Sequence, residues 1–524
     1  MPRMGRVPNE NRGRNQKPVP VIRNEELMKR LLLTVVMAIG MVAARAQYDI
    51  IPMPQRITMD AKGTVLNIEG QPQVTERLNK DIASPEGWRM MVGKRGILLE
   101  GRTEAGLFYG RQALRQVMAT NPTSLPYAVI ESTPRFSYRA MHLDVSRHFF
   151  GKEMVKQYLD MMALHAMNTL HFHLTDDQGW RIEMKRWPKL TTVGSVRNRT
   201  VIGRNAGIYE YTPHGGYFTQ DDIREIVAYA QERHITIIPE IDMPGHMLAA
   251  LAAYPELGCT GGPYEVCPDW GVFDDILCAG NDKVYRFLED VVDELTELFP
   301  APYIHLGGDE APRVRWQQCN RCQQRMREQG LKTEAQLQGY MVRRMEQYLT
   351  KKGRRLIGWD EIAECDIDTS AVIMSWRGHE GGFDAAAKGH DVIMAPTGSM
   401  YFDYYQLPED LWEKPFLIGG YVSLSKVYAF DPAPDSLSAD VRRHIIGAQA
   451  NLWTEYIPYK ELLEYQVLPR MAALCEVQWT DPERKEYDGF LQRLPRLLSI
   501  YDAQGWKYCR KRDNGELLEQ REQN

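Results

Sequence analysis

Two adjacent carboxylates behind two glycines, in the segment His305-Leu306-Gly307-Gly308-Asp309-Glu310, are the residues whose types and spacing most directly offer chemistry. The glycines let a ligand approach the backbone. Neighbouring residues at the end of a β-strand point in different directions. Asp309 and Glu310 therefore cannot readily flank a glycosidic bond from opposite sides, as an ordinary acid and nucleophile do. One of the pair must have another task. A reaction in which a sugar's own 2-acetamido oxygen is the nucleophile needs one general acid/base and one carboxylate that orients the amide and stabilises its developing positive charge. The pair fits that division.

Other polar and aromatic groups recur in the same kind of place, just after a short β-rich run: Arg147-His148, Asp176-Asp177, Asp242 with His246, Trp359-Asp360, Trp376, Tyr401 with Asp403, and Trp453 with Glu455. The runs themselves are 138–145, 169–174, 235–241, 303–306, 355–359, 371–376, 391–395 and 445–452, eight in all. Amphipathic helical stretches at 152–166, 220–233, 282–298 and 333–352 fall between them. Strands alternating with helices signal parallel βα units, and eight of them a closed (β/α)8 TIM barrel, whose active site forms at the C-terminal ends of the strands. The longer, Pro-rich interval before the eighth run reads as loop. His171 and His173 alternate along the second run, on the face that becomes the barrel interior. A hydrogen-bonded interior histidine is the commoner outcome there than a metal ligand.

The chain is long enough for such a barrel plus a smaller domain. Residues 1–46 read as an N-terminal extension with a signal peptide at 28–46, 47–133 as a small α+β domain, 134–510 as the barrel and 511–524 as a polar tail. The small domain shows strands near 65–68 and 97–100, a helix at 104–118 and a turn-like end at Ser132-Thr133-Pro134. Met28-Lys29-Arg30, an apolar run over 31–42 and Ala44-Arg45-Ala46 form a basic region, a short hydrophobic region and a cleavage site. The natural start is then Met28 or Met1, and the mature chain begins at Gln47 and is exported to the periplasm or cell exterior. The apolar run is shorter than the roughly 20 residues a bilayer span needs, so no stable membrane span is expected. With 64 Lys+Arg against 69 Asp+Glu and no long run of one sign, nucleic acid is an unsuitable partner. Of the 8 cysteines, Cys259, Cys267 and Cys278 precede the C-x-x-C pair Cys319 and Cys322. Export makes local disulfides the expected use, ahead of free thiols and of metal binding.

Four segments, HFHLTDDQGWR (171–181), PEIDMPGH (239–246), HLGGDE (305–310) and LWTE (452–455), closely resemble the family 20 β-N-acetylhexosaminidases. Ile51-Pro52-Met53-Pro54 is similar to the start of that family's N-terminal domain, and LDVSRHFF (143–150) to its first barrel strand. The resemblance runs from about residue 48 to 510 in the family's order, without departure at the catalytic positions. It implies an exo-acting, retaining, substrate-assisted hydrolase of terminal β-linked GlcNAc or GalNAc, with a carbohydrate substrate and no cofactor. It further implies that Glu310 is the acid/base, that Asp309 holds the acetamido N–H, and that Tyr401 hydrogen-bonds the acetamido oxygen. Arg147, Asp176, His246, Trp359, Trp376, Asp403, Trp453 and Glu455 would form the substrate-binding set. Asp242 would support them, its spacing from His246 allowing the carboxylate to orient the imidazole.

Three other readings share these residues: a disaccharide-releasing lacto-N-biosidase, a conventional two-carboxylate retaining glycosidase, and a catalytically silent glycan-binding protein on the same fold. Intact Arg147 and Glu455 weigh against the first, adjacency of Asp309 and Glu310 against the second, and retention of Tyr401 beside them against the third. Nothing in the sequence sets the oligomeric state.

Overall fold

A computed structural model describes residues 48–518 except 69, 120, 121 and 413–415. The expected extension and signal segment, and the last residues of the polar tail, lie outside the described residues.

A five-stranded sheet opens the described chain, in the order Arg56–Met59, Ala128–Ser132, Trp88–Gly93, Gly96–Gly101, Val74–Leu78. On Trp88–Gly93 burial alternates strictly, placing Trp88, Met90 and Val92 beneath the helix Glu104–Met118, which contributes Leu107, Tyr109, Ala113 and Val117. That period of two is what a half-buried sheet requires. The unit docks on the barrel through a buried ion pair. Arg139 donates to both Glu86 oxygens at 2.7 and 2.9 Å and lies over the Trp479 ring, and Trp479 Nε1 donates to Ser132 Oγ at 2.9 Å. Arg139 sits at the start of its strand, so this contact is on the face opposite the strand ends that carry the chemistry.

The eight barrel strands are β1 (Tyr138–Asp144), β2 (Thr169–His173), β3 (Thr236–Glu240), β4 (Tyr303–His305), β5 (Arg355–Trp359), β6 (Val372–Ser375), β7 (Val392–Met394) and β8 (Ile445–Ala450). They pair in parallel in sequence order, and β8 closes on β1 with Gly447 opposite Tyr138. Strand parity decides which side chains fill the barrel. Tyr138 and Ala140 of β1, Ile357 and Trp359 of β5, and Val372 and Met374 of β6 share one interior cluster, whereas Met141, Leu143, Leu356 and Ile373 join the larger core under the helices. A slip of one residue would exchange the two sets.

The outer helices begin where the sequence supplies caps. Thr219 and Asp222 form a reciprocal capping box ahead of Gln220–Gln231, and Thr333 Oγ1 accepts from Gln336 N at 3.2 Å ahead of Glu334–Lys351. Two regions go beyond the strand–helix alternation read from the sequence. Between β2 and Gln220–Gln231 the chain forms three two-stranded ribbons. The Pro-rich interval between β7 and β8, expected to be loop, contains the helices Leu424–Ala429 and Ala439–Arg442, started by the Ser423 and Ser438 side chains. Helices this short show no readable apolar period. Among the described residues no helix is long and apolar enough to cross a membrane.

Candidate active site

The turn after β4 is fixed from several sides. Gly308 N donates to Asp242 Oδ1 at 3.0 Å, Gln338 Nε2 to Gly308 O at 2.8 Å, and Trp359 N to Gly307 O at 3.0 Å. Gly307 has φ +61, and a Cβ there would lie 1.6 Å from Asp242 Oδ1, so only glycine fits. Glu310 itself has φ +45, which a non-glycine residue keeps only where its surroundings impose it. The result aims two neighbouring carboxylates into one cavity of about 200 Å³.

All twelve residues singled out in the sequence line that cavity: Arg147, Asp176, Asp242, His246, Asp309, Glu310, Trp359, Trp376, Tyr401, Asp403, Trp453 and Glu455. His173, Thr397, Tyr404 and Ile418 join them. Trp359 forms the floor, with its Nε1 donating to Glu240 Oε1 at 2.9 Å. Trp376 stacks beside Tyr401 with ring centres 6.4 Å apart, and Trp453 lies under the Arg147 guanidinium. Burial and the Asp403 charge push the Tyr401 hydroxyl well above its ordinary range, so it remains a proton donor. Both oxygens of Asp403 and Oδ1 of Asp309 are buried without a hydrogen-bond partner among the described residues. Unpaired buried acceptors are costly and call for a ligand's donors.

Asp176 and His246 are bound up with other protein groups. Asp176 Oδ2 accepts from Arg147 Nη2 and His173 Nε2, both at 2.8 Å, while Oδ1 accepts from Asp177 N at 2.7 Å and lies 3.2 Å from His246 Nδ1. Both line the cavity and, through these contacts, hold the side chains around the carboxyl pair. The partner of His246 differs from expectation. Its Nδ1 sits 3.2 Å from Asp176 and 3.2 Å from Asp177, whereas the Asp242 side chain is committed to the glycine turn. The opposite nitrogen, Nε2, lies 3.8 Å from Asp309 Oδ2 and 3.7 Å from Glu310 Oε2. Burial opposes protonation of His246, but the Asp176 charge and hydrogen bond outweigh it and hold the imidazole cationic.

The two carboxyls respond differently. The nearby His246 cation holds Glu310 below its usual range, and the Glu310 side chain is 42% exposed. Burial and then the charge of Asp242 push Asp309 well above it.

Beneath the cavity lies a polar layer the sequence reading passed over. Glu240, fully buried, accepts a short hydrogen bond from His173 Nδ1 and has His171 Nε2 at 3.0 Å and His305 Nδ1 at 3.1 Å. His171 and His173 are thus hydrogen-bonded interior residues. The signal for Glu240 was its parity: it follows Ile238 on the inward face of β3. Glu361 was also missed. It accepts from Trp376 Nε1 at 3.0 Å, and burial with the Asp309 charge pushes its carboxyl up to about 8.

The cysteines depart from expectation outright: none of the eight is in a disulfide. Cys259, Cys278, Cys319 and Cys322 converge on one point, with sulfurs 3.6–3.8 Å apart in the closest pairs, while Cys267 lies apart against Asp269 O. A disulfide needs about 2.05 Å.

Comparison with known proteins adds an independent line. The sequence pattern described as "Glycosyl hydrolase family 20, catalytic domain" matches residues 136–482, and "Glycosyl hydrolase family 20, domain 2" matches 60–131. A beta-hexosaminidase of Porphyromonas gingivalis is 45% identical over 81% of this chain and 54% of its own, so the chain spans about half the length of that relative. One of Akkermansia muciniphila is 32% identical, covering 86% of this chain and 90% of its own. Among solved structures, an exo beta-N-acetylglucosaminidase of Vibrio harveyi in complex with N-acetylglucosamine superposes with TM-score 0.78 at 29% identity, covering 88% of this chain and 78% of that one. A mutant Streptomyces plicatus beta-hexosaminidase in complex with its product GlcNAc gives 0.76 at 29% identity, over 89% and 97%.

Proposed function

Because the chain belongs to glycoside hydrolase family 20, we propose that it is an exo-acting, retaining β-N-acetylhexosaminidase that removes terminal β-linked GlcNAc or GalNAc with the substrate's acetamido group as nucleophile. The observation that carries this reading is the placement of Asp309 and Glu310 side by side against one imidazole nitrogen, so that they approach a sugar from the same side. A protein nucleophile and an acid would instead face each other across the bond about 5 Å apart.

In the reaction, Glu310 gives its proton to the glycosidic oxygen as the C1–O bond breaks. The acetamido carbonyl oxygen, aimed by the Tyr401 hydroxyl, bonds to C1. Asp309 holds the amide N–H and stabilises the positive charge of the resulting oxazolinium ring. Water then attacks C1 from the vacated face, losing its proton to Glu310, and the acetamido group is released with retained stereochemistry. Asp403, Arg147 and Glu455 fix the sugar hydroxyls.

The protein's own groups favour ionised Glu310 and protonated Asp309, whereas turnover needs the reverse. A bound sugar supplies the reversal. Its amide N–H favours the Asp309 carboxylate, and the leaving group covers Glu310, favouring the neutral acid.

The test is hydrolysis of matched aryl β-glycosides differing only in 2-acetamido against 2-hydroxyl. Cleavage of the acetamido sugar alone is expected; comparable cleavage of both would require a protein nucleophile and sink the mechanism. Export rests on the segment Met28 to Ala46, and N-terminal sequencing of protein secreted by a bacterial host should read from Gln47.

A further inference from the structure

The loop after β3 passes the short helix Leu248–Ala253 and brings Cys259 and Cys278 together through an antiparallel bridge between Gly258 and Leu277. The loop after β4 delivers Cys319 and Cys322 at the start of the helix Asn320–Glu328. The two loops touch closely: a Cβ on Gly280 would lie 2.2 Å from the carbonyl carbon of Arg321 and 2.4 Å from Cys322 N. Cys278, Cys319 and Cys322 are buried and Cys259 partly so.

The separations identify what the cluster suits. Cys278 Sγ is 3.7 Å from Cys319 and 3.6 Å from Cys322, and Cys322 is 3.8 Å from Cys259; all four sulfurs fall within 4.8 Å of one another. Neither Cys278 nor Cys322 prefers a single partner, as a disulfide would demand. Four sulfurs held at about 2.3 Å around a tetrahedral zinc ion are about 3.8 Å apart. Cys319-Asn320-Arg321-Cys322 has the C-x2-C spacing of such sites. Arg321 Nη2 donates to Gly258 O at 2.9 Å, which keeps a cation beside the thiolates that zinc binding creates.

We propose that Cys259, Cys278, Cys319 and Cys322 bind one structural zinc ion. The ion staples the β3 loop, which carries His246, to the β4 loop, which carries Asp309 and Glu310. Its part in turnover is positional: it keeps the imidazole and the two carboxyls in register across two loops.

Protein purified without metal-affinity resin or added zinc should contain about one zinc per chain by elemental mass spectrometry. X-ray absorption should show four sulfurs at about 2.3 Å. Cobalt exchanged into the site should give the visible absorption of a tetrahedral thiolate complex. Stripping zinc with a mercurial and a chelator should lower the melting temperature and kcat more than KM, both restored on re-adding zinc after thiol. Cys319→Ala with Cys322→Ala should lose the metal; should that variant fail to fold, absorption and mercurial release on the unaltered chain still decide. Nitrogen or oxygen ligands, iron in place of zinc, an intact mass showing two disulfides, or four titratable thiols without metal would each overturn the proposal.

Discussion

The barrel interior differs between the two ends of its strands. Toward the strand starts the inward side chains are apolar: Tyr138 and Ala140 on β1, Ile238 on β3, Ile357 on β5, Val372 on β6. Toward the strand ends Trp359 and Met374 are joined by His142, His173, Glu240, His305 and, just above, the acidic cavity. Apart from the Tyr138 hydroxyl, which donates to Gln449 Oε1 at 2.9 Å, the first set contributes by burial and would tolerate other shapes of similar volume. The second is built around the buried Glu240 carboxylate and His173 cation, whose desolvation is offset by each other and by Asp176, so each is fixed by its partners. Stability and chemistry are thereby separated along the same eight strands, which can be tested by removing one group at a time.

The largest effect is expected at the top of the charged end. Glu310→Gln keeps the shape and removes the proton donor, so hydrolysis of substrates with poor leaving groups should fall by about 10²–10⁴. Aryl glycosides with good leaving groups should lose much less, because their departure needs little protonation. Equal losses on both would remove Glu310 from the acid role. Unfolding should change little, since the Glu310 side chain is 42% exposed and only its His246 neighbour holds it.

Next comes the layer beneath. Glu240→Leu leaves the cationic His173 without its main counter-charge and strips Trp359 Nε1 of its acceptor. Breaking a buried pair by deleting one partner costs about 3–5 kcal/mol. A melting curve within error of the unaltered chain would show that the polar layer is not held as described. At the apolar end, Ile238→Ala should cost about 2–5 kcal/mol by opening a cavity. Below its melting temperature its kcat/KM should stay unchanged. A loss of activity there would mean that the two ends are coupled and the separation is false.

How much of this could be read from the sequence follows the same division. The barrel was legible because strand and helix periods alternate, and the cavity residues because they sit within two residues of the end of an apolar run, as Arg147, Asp242 and Trp453 do. Glu240 and His305 were not, because they lie inside runs that read as buried strand; only their parity marks them. His246 was given the wrong partner because Asp242 is near in sequence, whereas Asp176 and Asp177 reach it from the neighbouring strand end. The cysteines were misjudged for the same reason: spacing showed one C-x-x-C, and only the packing of two loops completes the set of four.

The smallest and most discriminating effect concerns His246. Its cation lies within 4 Å of both carboxyls and favours their ionised forms: it is the chief cause of the lowered Glu310 and partly counters the rise of Asp309. Replacing it in His246→Gln removes that charge and keeps a donor. Both carboxyls must then titrate at higher pH. Both limbs of kcat/KM, which report these two carboxyls in the free enzyme, therefore move up. The whole profile should shift to higher pH, and most of the lost activity should return on the alkaline side. A uniform drop with unmoved limbs would mean that His246 only shapes the pocket. In that case the proton order of the pair would have to be set from below, by Asp242, whose carboxyl burial pushes up to about 7.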